Sequence, residues 1–280
     1  NDDVFFDKKR GIVISVDTYN IGSHFLNFLS PDLVIKKILR SSISDLICKG
    51  VKPKFYFISG SGNNKTFTKK NLLKISKSLI SEQKKFNINL CGGDTTFSKK
   101  LSFTIISMGY SNKIVYRNKV KFNDDIYVTG NLGDSFAGLN ILKKKYSISP
   151  SLKKYFENKY YQPNINLKLT KKLFLFANTT IDVSDGLLQD LKHICEASGV
   201  GAQIELDNIP TFGTISSITE INSGDDYEIC FTSCPENEDV LKEISEELKI
   251  KITLIGKTND SKTIKVFDRE GNEISVESGY

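Results

Sequence analysis

No stretch of this chain approaches the roughly 18 consecutive apolar residues that a membrane-spanning helix needs, so that class of protein is excluded. Cysteine is scarce and unpaired. The five present, Cys48, Cys91, Cys195, Cys230 and Cys234, include no C-x-x-C spacing, which points away from a disulfide framework or a zinc ribbon and towards a reducing cytoplasm. No period of about 20 to 50 residues repeats, which removes solenoids and propellers. Nor is positive charge gathered. Lys and Arg number 39 against 33 for Asp and Glu, a net +6, yet the lysines fall singly or in pairs apart from the triple Lys143 to Lys145. Such scatter describes solvated helix faces rather than a stripe tracking a phosphate backbone, so no nucleic-acid partner is expected. A positively charged, then apolar, leader is missing too. The chain opens on Asn1 and the acidic Asp2-Asp3, and further residues are expected beyond both ends.

What is present is a globular composition, 39% apolar and 26% charged, able to bury a substantial core. At about 150 residues per domain, the length suggests two. The apolar, β-branched run at 11–16 predicts a strand ending at Asp17, and apolar residues at helical spacing predict a helix over 31–50, started by Ser30-Pro31 and stopped by Gly50. Strands follow at 54–59, 88–91 and 101–108, with an amphipathic helix over 67–85. Turn-rich residues 111–125 break the pattern, which places the boundary between domains 1–121 and 122–280. The second half alternates again. Strands are predicted at 126–129, 179–183, 202–206, 228–232, 250–255 and 263–267, and helices at 135–145, up to 161, up to 177, 185–198 and 236–248. The fold class is therefore α+β with layered α/β character.

The chemistry is carried by acids set beside small residues: Asp2-Asp3, Asp17-Thr18, Ser44-Asp45, Gly92-Gly93-Asp94-Thr95-Thr96, Asp182-Val183-Ser184-Asp185-Gly186 and Gly224-Asp225-Asp226. Any one of these alone reads better as a turn or a helix cap. Six together suit magnesium held jointly with phosphates, because a buried acid cluster is costly until cations neutralise it. Gly92-Gly93 would let backbone N–H groups approach a phosphate while Asp94 holds its metal. Ser184-Asp185-Gly186, between a strand and a helix, reads either as an anion site on free N–H groups or as a cap. Gly60 to Thr66 mimics a P-loop, but Asn64 and Ser59 stand where its two glycines belong, so a polar loop is the better reading. His24, in a polar loop beside Asp17, suits phosphate contact, whereas His193 on a helix reads as structural.

These motifs, in order along nearly the whole chain, resemble the thiamine-monophosphate kinases. The resemblance rests on Asp2-Asp3, Ser15-Val16-Asp17-Thr18, Gly22-Ser23-His24-Phe25, Ile43-Ser44-Asp45-Leu46 and Gly92 to Thr96. It continues through Tyr127-Val128-Thr129-Gly130, Leu132-Gly133-Asp134-Ser135, Ile181 to Leu187 and Gly224-Asp225-Asp226-Tyr227-Glu228. Several of these are shared with the wider aminoimidazole-ribonucleotide-synthetase-like superfamily. The resemblance implies an N-terminal β-sheet, barrel-forming dimerisation domain and a C-terminal α/β sandwich. It implies a homodimer with its site in a cleft, and magnesium-dependent transfer from ATP to thiamine phosphate. By position, Asp3, Ser15, Val16 through its backbone, Asp17, Asp45, Asp94, Asp182 and Asp185 correspond to magnesium ligands. Gly93, Asp94, Arg117 and Ser184 correspond to ATP contacts, and His24, Asp225 and Tyr280 to contacts with thiamine phosphate; no side chain is expected as nucleophile or indispensable general base. Asn1 stands where the family usually has glycine, and Asp225 where it usually has glutamate. The rivals are another ATP-dependent synthetase of the superfamily, which would want a reactive cysteine near the N-terminal strand or at the C-terminus, and a non-catalytic nucleotide- or RNA-binding module, which six acid elements would repel.

Overall fold

The computed structural model describes residues 2–146, 148–213 and 218–275. Its contacts divide into two units, one of Asp3–Ile47 with Val51–Ile114, the other of Asp2, Cys48–Gly50 and the chain from Val115 onwards. The division falls seven residues before the boundary read at 121/122. The intervening segment bonds to the second unit: the Val115 N–H donates to the Lys49 carbonyl, Arg117 N–H to Asp2, and Val120 N–H to Ser198 Oγ.

In the first unit, β1 (Phe5–Asp7), β2 (Ile12–Asn20), β6 (Ser102–Tyr110), β3 (Pro53–Gly62) and β4 (Asn89–Gly92) lie side by side, with β5 (Thr95–Phe97) also paired to β3. The helices are α1 (Pro31–Cys48) and α2 (Lys69–Phe86). Alternation along the strands sorts the two faces. Val13, Tyr56 and Ile105 are fully buried, and on that same face Ser42 of α1 bonds Ser107 of β6 at 2.8 Å. The opposite face carries two apolar cross-strand rows, Phe5–Ile14–Met108–Phe55 and Val16–Ile106–Phe57. The sheet is open, with no closure into a barrel among the described residues. The Arg40 guanidinium grips Glu82 at 2.7 and 3.1 Å, tying α1 to α2 through a buried pair.

The P-loop mimic is a tight turn. The Asn63 Oδ1 accepts the N–H groups of Lys65 and Thr66, and Gly62 is glycine because a Cβ there would come within 2.8 Å of the Phe67 ring.

The second unit has the strand order β13 (Glu273–Ile274), β12 (Ile264–Phe267), β9 (Gly201–Glu205), β11 (Ile252–Asn259), β7 (Asp125–Thr129), β10 (Ile229–Ser233), β8 (Ala177–Asp182). All neighbours are antiparallel except β12 and β9. The strands β7 and β10 are buried on both faces along their whole length, and β8 from Thr179 onwards, although β8 buries polar Thr179, Thr180 and Asp182 rather than an apolar run. On one face α6 (Leu187–Ser198) packs Leu187, Leu191, Ile194 and Cys195 against Ile126, Val128, Ile181 and Ile204. On the other, Phe231 stacks on Tyr127 and meets Phe176 of the short α5 (Leu173–Phe176), and α8 (Glu238–Leu248) lies beside β11. The remaining helices are α3 (Asp134–Leu142), α4 (Pro150–Tyr161) and α7 (Ile218–Ile221). The helix expected to run up to 177 is only the four residues of α5. Ahead of it, Pro163 breaks the chain and Asn166 is pulled into a buried bond with Glu228 Oε2 at 2.9 Å, which holds the segment as turns.

Candidate active site

The first unit builds one acid cluster from the middle of β2 and the last turns of α1. Ser15 and Asp17 point from β2 towards Asp45 of α1. The Ser15 hydroxyl donates to Asp45 Oδ2 and lies 3.4 Å from Asp17 Oδ2. Burial holds the Asp17 carboxyl above the usual carboxylate range, against the pull of bonds from Ser42, Ser15 and Tyr19. Such a carboxylate is stabilised by a cation. Asp17 lies inside β2, not at its end as read from the sequence, because β2 extends three residues further, to Asn20, in full register with β6.

Gly93 passes so close to β3 that a Cβ there would sit 1.7 Å from the Ile58 carbonyl oxygen. Ile58 pairs with Ile105, and Ile105 with Asp17. The Gly93–Asp94 corner therefore lies on the same cross-strand row as the acid cluster, three strand spacings or about 14 Å along it. Asp94 is exposed, and its Oδ1 accepts the Thr95 N–H at 2.7 Å. That corner leads directly into β5, a strand the glycines disguise as loop. His24 is exposed near the end of β2. Its Nδ1 accepts the Asn20 N–H at 3.0 Å and its ring meets Tyr19 edge-on, so Nε2 faces outward as a donor. Asp3 is half-buried just before β1, and the Val16 side chain is 59% exposed on the opposite face of β2 from Ser15.

The second unit joins two motifs 40 residues apart into one platform. Beyond the β8–β10 pairing, Val183 N–H donates to the Glu228 carbonyl, Tyr227 N–H to Val183, and Asp225 N–H to Ser184, at 2.8 to 2.9 Å. Gly224 is required, since a Cβ would lie 2.3 Å from the Ser184 carbonyl. Asp225 and Tyr227 both adopt left-handed φ, +69° and +54°, and the Tyr227 hydroxyl donates to Asp225 Oδ1 at 3.0 Å. Strain of this kind in non-glycine residues collects where a side chain must be aimed. Asp182 is buried at the end of β8, with the Cys48 thiol 3.9 Å from its Oδ1, and Asp185 is exposed in the following loop.

The N–H groups of Ser184, Asp185 and Gly186 all point to Asp190 Oδ2, at 2.9, 3.0 and 3.2 Å. The N-cap of α6 is Gly186 and no side chain of the motif caps the helix; the loop amides bond a carboxyl inside the helix instead. The amides are spent on the chain's own Asp190 carboxyl oxygen, while Asp185 is exposed and Ser184 half-buried. Burial first, then the nearby Asp182 and Asp185, push the Asp190 carboxyl up to about 8. Asp185, Asp190 and His193 each place a ligand-type atom within 4.8 Å of the others. Arg117 is half-buried, its Nε 3.8 Å from Asp2 Oδ1, and fully buried Lys49 puts its ammonium 2.8 Å from the same oxygen. Tyr280 lies outside the described residues.

Sequence reasoning missed Lys49 and Asp190, and gave no role to the buried Asp134, Asp226 and Glu228 that stand in its motifs. Asp226 accepts the N–H groups of Gly133 and Ser135 at 2.7 and 3.1 Å at the start of α3. The Tyr155 hydroxyl donates to Asp134 at 2.7 Å, and Glu228 takes the Thr129 hydroxyl. A first-turn acid after Ser-Asp-Gly was the one available signal for Asp190.

Family models agree with this architecture. Residues 1–111 match the AIR synthase related protein N-terminal domain, and 123–269 match its C-terminal domain. The thiamine-monophosphate kinase of Haemophilus influenzae is 34% identical over 259 residues, 89% of this chain and 78% of that protein. That of Escherichia coli K12 is 31% identical, spanning 98% of this chain and 87% of the relative. Among solved structures, thiamine-monophosphate kinase from Stenotrophomonas maltophilia superposes with a TM-score of 0.85 at 27% identity, over 94% of this chain and 86% of that one. AaThiL complexed with AMPPCP and TMP gives 0.87 at 23% identity over 100% and 90%, a likeness of fold. With both domains matched in order and relatives above 30% identity across most of its length, the chain belongs to the thiamine-monophosphate kinase family of AIR synthase related proteins.

Proposed function

We propose that the protein transfers the γ-phosphoryl group of ATP to thiamine monophosphate, giving thiamine diphosphate and ADP by direct in-line displacement. The observation that carries this reading is the Ser15–Asp17–Asp45 cluster, a packed set of hard oxygen donors with one carboxyl raised by burial, in a chain whose relatives are thiamine-monophosphate kinases. Such donors fit magnesium. We assign Asp3, Ser15, the Val16 carbonyl, Asp17, Asp45 and Asp94 of the first unit, and Asp182 and Asp185 of the second, as the residues that hold it. When bound, the metal offsets the charge that two phosphorylated reactants bring together.

The chain's own groups do the rest. Gly93 keeps its corner tight against β3, which fixes where Asp94 points. Arg117, together with Ser184, contacts ATP and supplies fixed positive charge for the transferring group. The outward Nε2 of His24 and the Asp225 carboxylate, aimed by Tyr227, position the thiamine phosphate, with Tyr280 assigned beside them. No side chain is assigned as nucleophile or base, because the acceptor is already an anion and the transition state is loose. A single turnover with γ-labelled ATP is expected to place all label in thiamine diphosphate; label retained on the denatured protein would contradict direct transfer.

The homodimer belongs to the same reading. The rows Phe5–Ile14–Met108–Phe55 and Val16–Ile106–Phe57 form an apolar sheet face, with Phe5 and Val16 more than half exposed. A second copy of this face would cover it. Ile106→Asp, at the centre of its row, is expected to turn a dimer into a folded monomer by sedimentation velocity; an unchanged sedimentation coefficient would remove this face from the interface. The five cysteines are free thiols, which suits the reducing cytoplasm we assign to the protein.

A further inference from the structure

We propose that Asp190 is a positioning residue for phosphoryl transfer, its carboxyl group drawing three consecutive backbone N–H groups onto one oxygen and thereby fixing the directions of the Ser184 and Asp185 side chains. The inference rests on the kinase reading for its consequence, but its geometry stands separately. Asp190 is 2% exposed, and its Oδ2 accepts from Ser184, Asp185 and Gly186 at 2.9, 3.0 and 3.2 Å. Consecutive amides converging on one point form the kind of concave nest that elsewhere grips a phosphate. Here the acceptor inside it is a carboxyl oxygen of the chain itself, built into the first turn of α6.

The rest of the loop's backbone is accounted for from outside. Val183 N–H goes to the Glu228 carbonyl and Leu188 N–H to Asn222 Oδ1 at 2.9 Å, while Gly186 adopts φ +119° with its α-carbon against the Asn222 carbonyl. Asp190 is thus the group that closes the loop upon its own helix. Its loss would free three donors and let the side chains between Asp182 and Gly186 swing. The same geometry predicts that nucleotide phosphates do not bind the amides of 184–186.

The test compares wild type with Asp190→Ala and Asp190→Asn on the full chain, the asparagine keeping one acceptor oxygen in place. Hydrogen–deuterium exchange of the 183–189 segment is expected to quicken at least about tenfold in Asp190→Ala, with β7 and β11 protection unchanged. Magnesium affinity in the presence of AMPPCP, read by calorimetry, should fall about 10- to 100-fold, with kcat falling likewise and Asp190→Asn recovering part of both losses. Unchanged exchange at 184–186, or magnesium affinity within about twofold of wild type in a folded Asp190→Ala or Asp190→Asn protein, would overturn the proposal. If wild type itself releases no ADP with thiamine phosphate, the kinase reading fails, while the exchange and magnesium measurements still decide the role of Asp190.

Discussion

Asp94→Asn leaves a folded protein whose turnover is about a thousandfold lower at saturating magnesium. The substitution keeps size and removes charge. Asp94 is exposed, and its Oδ1 bond to the Thr95 N–H survives with an amide oxygen, so stability should move by no more than about 0.5 kcal/mol. What disappears is a carboxylate on the cross-strand row that begins at Asp17, and with it the metal ligand we propose there. The deficit should shrink as magnesium rises without closing, since a misplaced cation stabilises the developing charge poorly even when bound. Steady-state kinetics across a magnesium series, with a thermal melt as control, checks both halves. An unchanged rate at limiting magnesium, or a protein that no longer melts cooperatively, would remove the metal role.

Gly93→Ala produces a smaller but still large defect with every acid intact. The added Cβ would sit 1.7 Å from the carbonyl oxygen of Ile58, a residue of β3 paired with Ile105 of β6 on its other edge, so the Gly93–Asp94 corner itself must move by more than an ångström. A displacement of that size at a reacting centre costs about 100-fold in rate. Because β4 and β5 both pair with β3, the shift should also destabilise the first unit, by about 1 to 3 kcal/mol. Denaturant melts and kcat measured on the same sample test this. Wild-type activity would mean that the corner does not carry a reacting group.

Much of this was legible from the residues. The helix over α1 and the buried strands of the second unit follow from apolar spacing, and the ordered acid motifs identify the family. The limits were physical. Asp17 was read as a strand end because the polar Thr18 to Asn20 look like loop, yet register with β6 carries the strand through them. β5 was hidden because Gly92-Gly93 predicts turn, and its pairing to β3 is long-range. The helix read up to 177 had adequate local propensity but lost to the Asn166–Glu228 bond, a contact across 62 residues. The left-handed backbone of Asp225 and Tyr227 leaves no trace in residue type, and the amides of 184–186 looked available until Asp190 was seen beneath them.

The account stands or falls on the acceptor. Coupled detection of ADP release, with thiamine monophosphate, thiamine and aminoimidazole precursors offered in turn, measures it directly. Magnesium-dependent release with thiamine monophosphate alone is the predicted result; equal release with unphosphorylated thiamine, or none beyond background with the monophosphate, would contradict it.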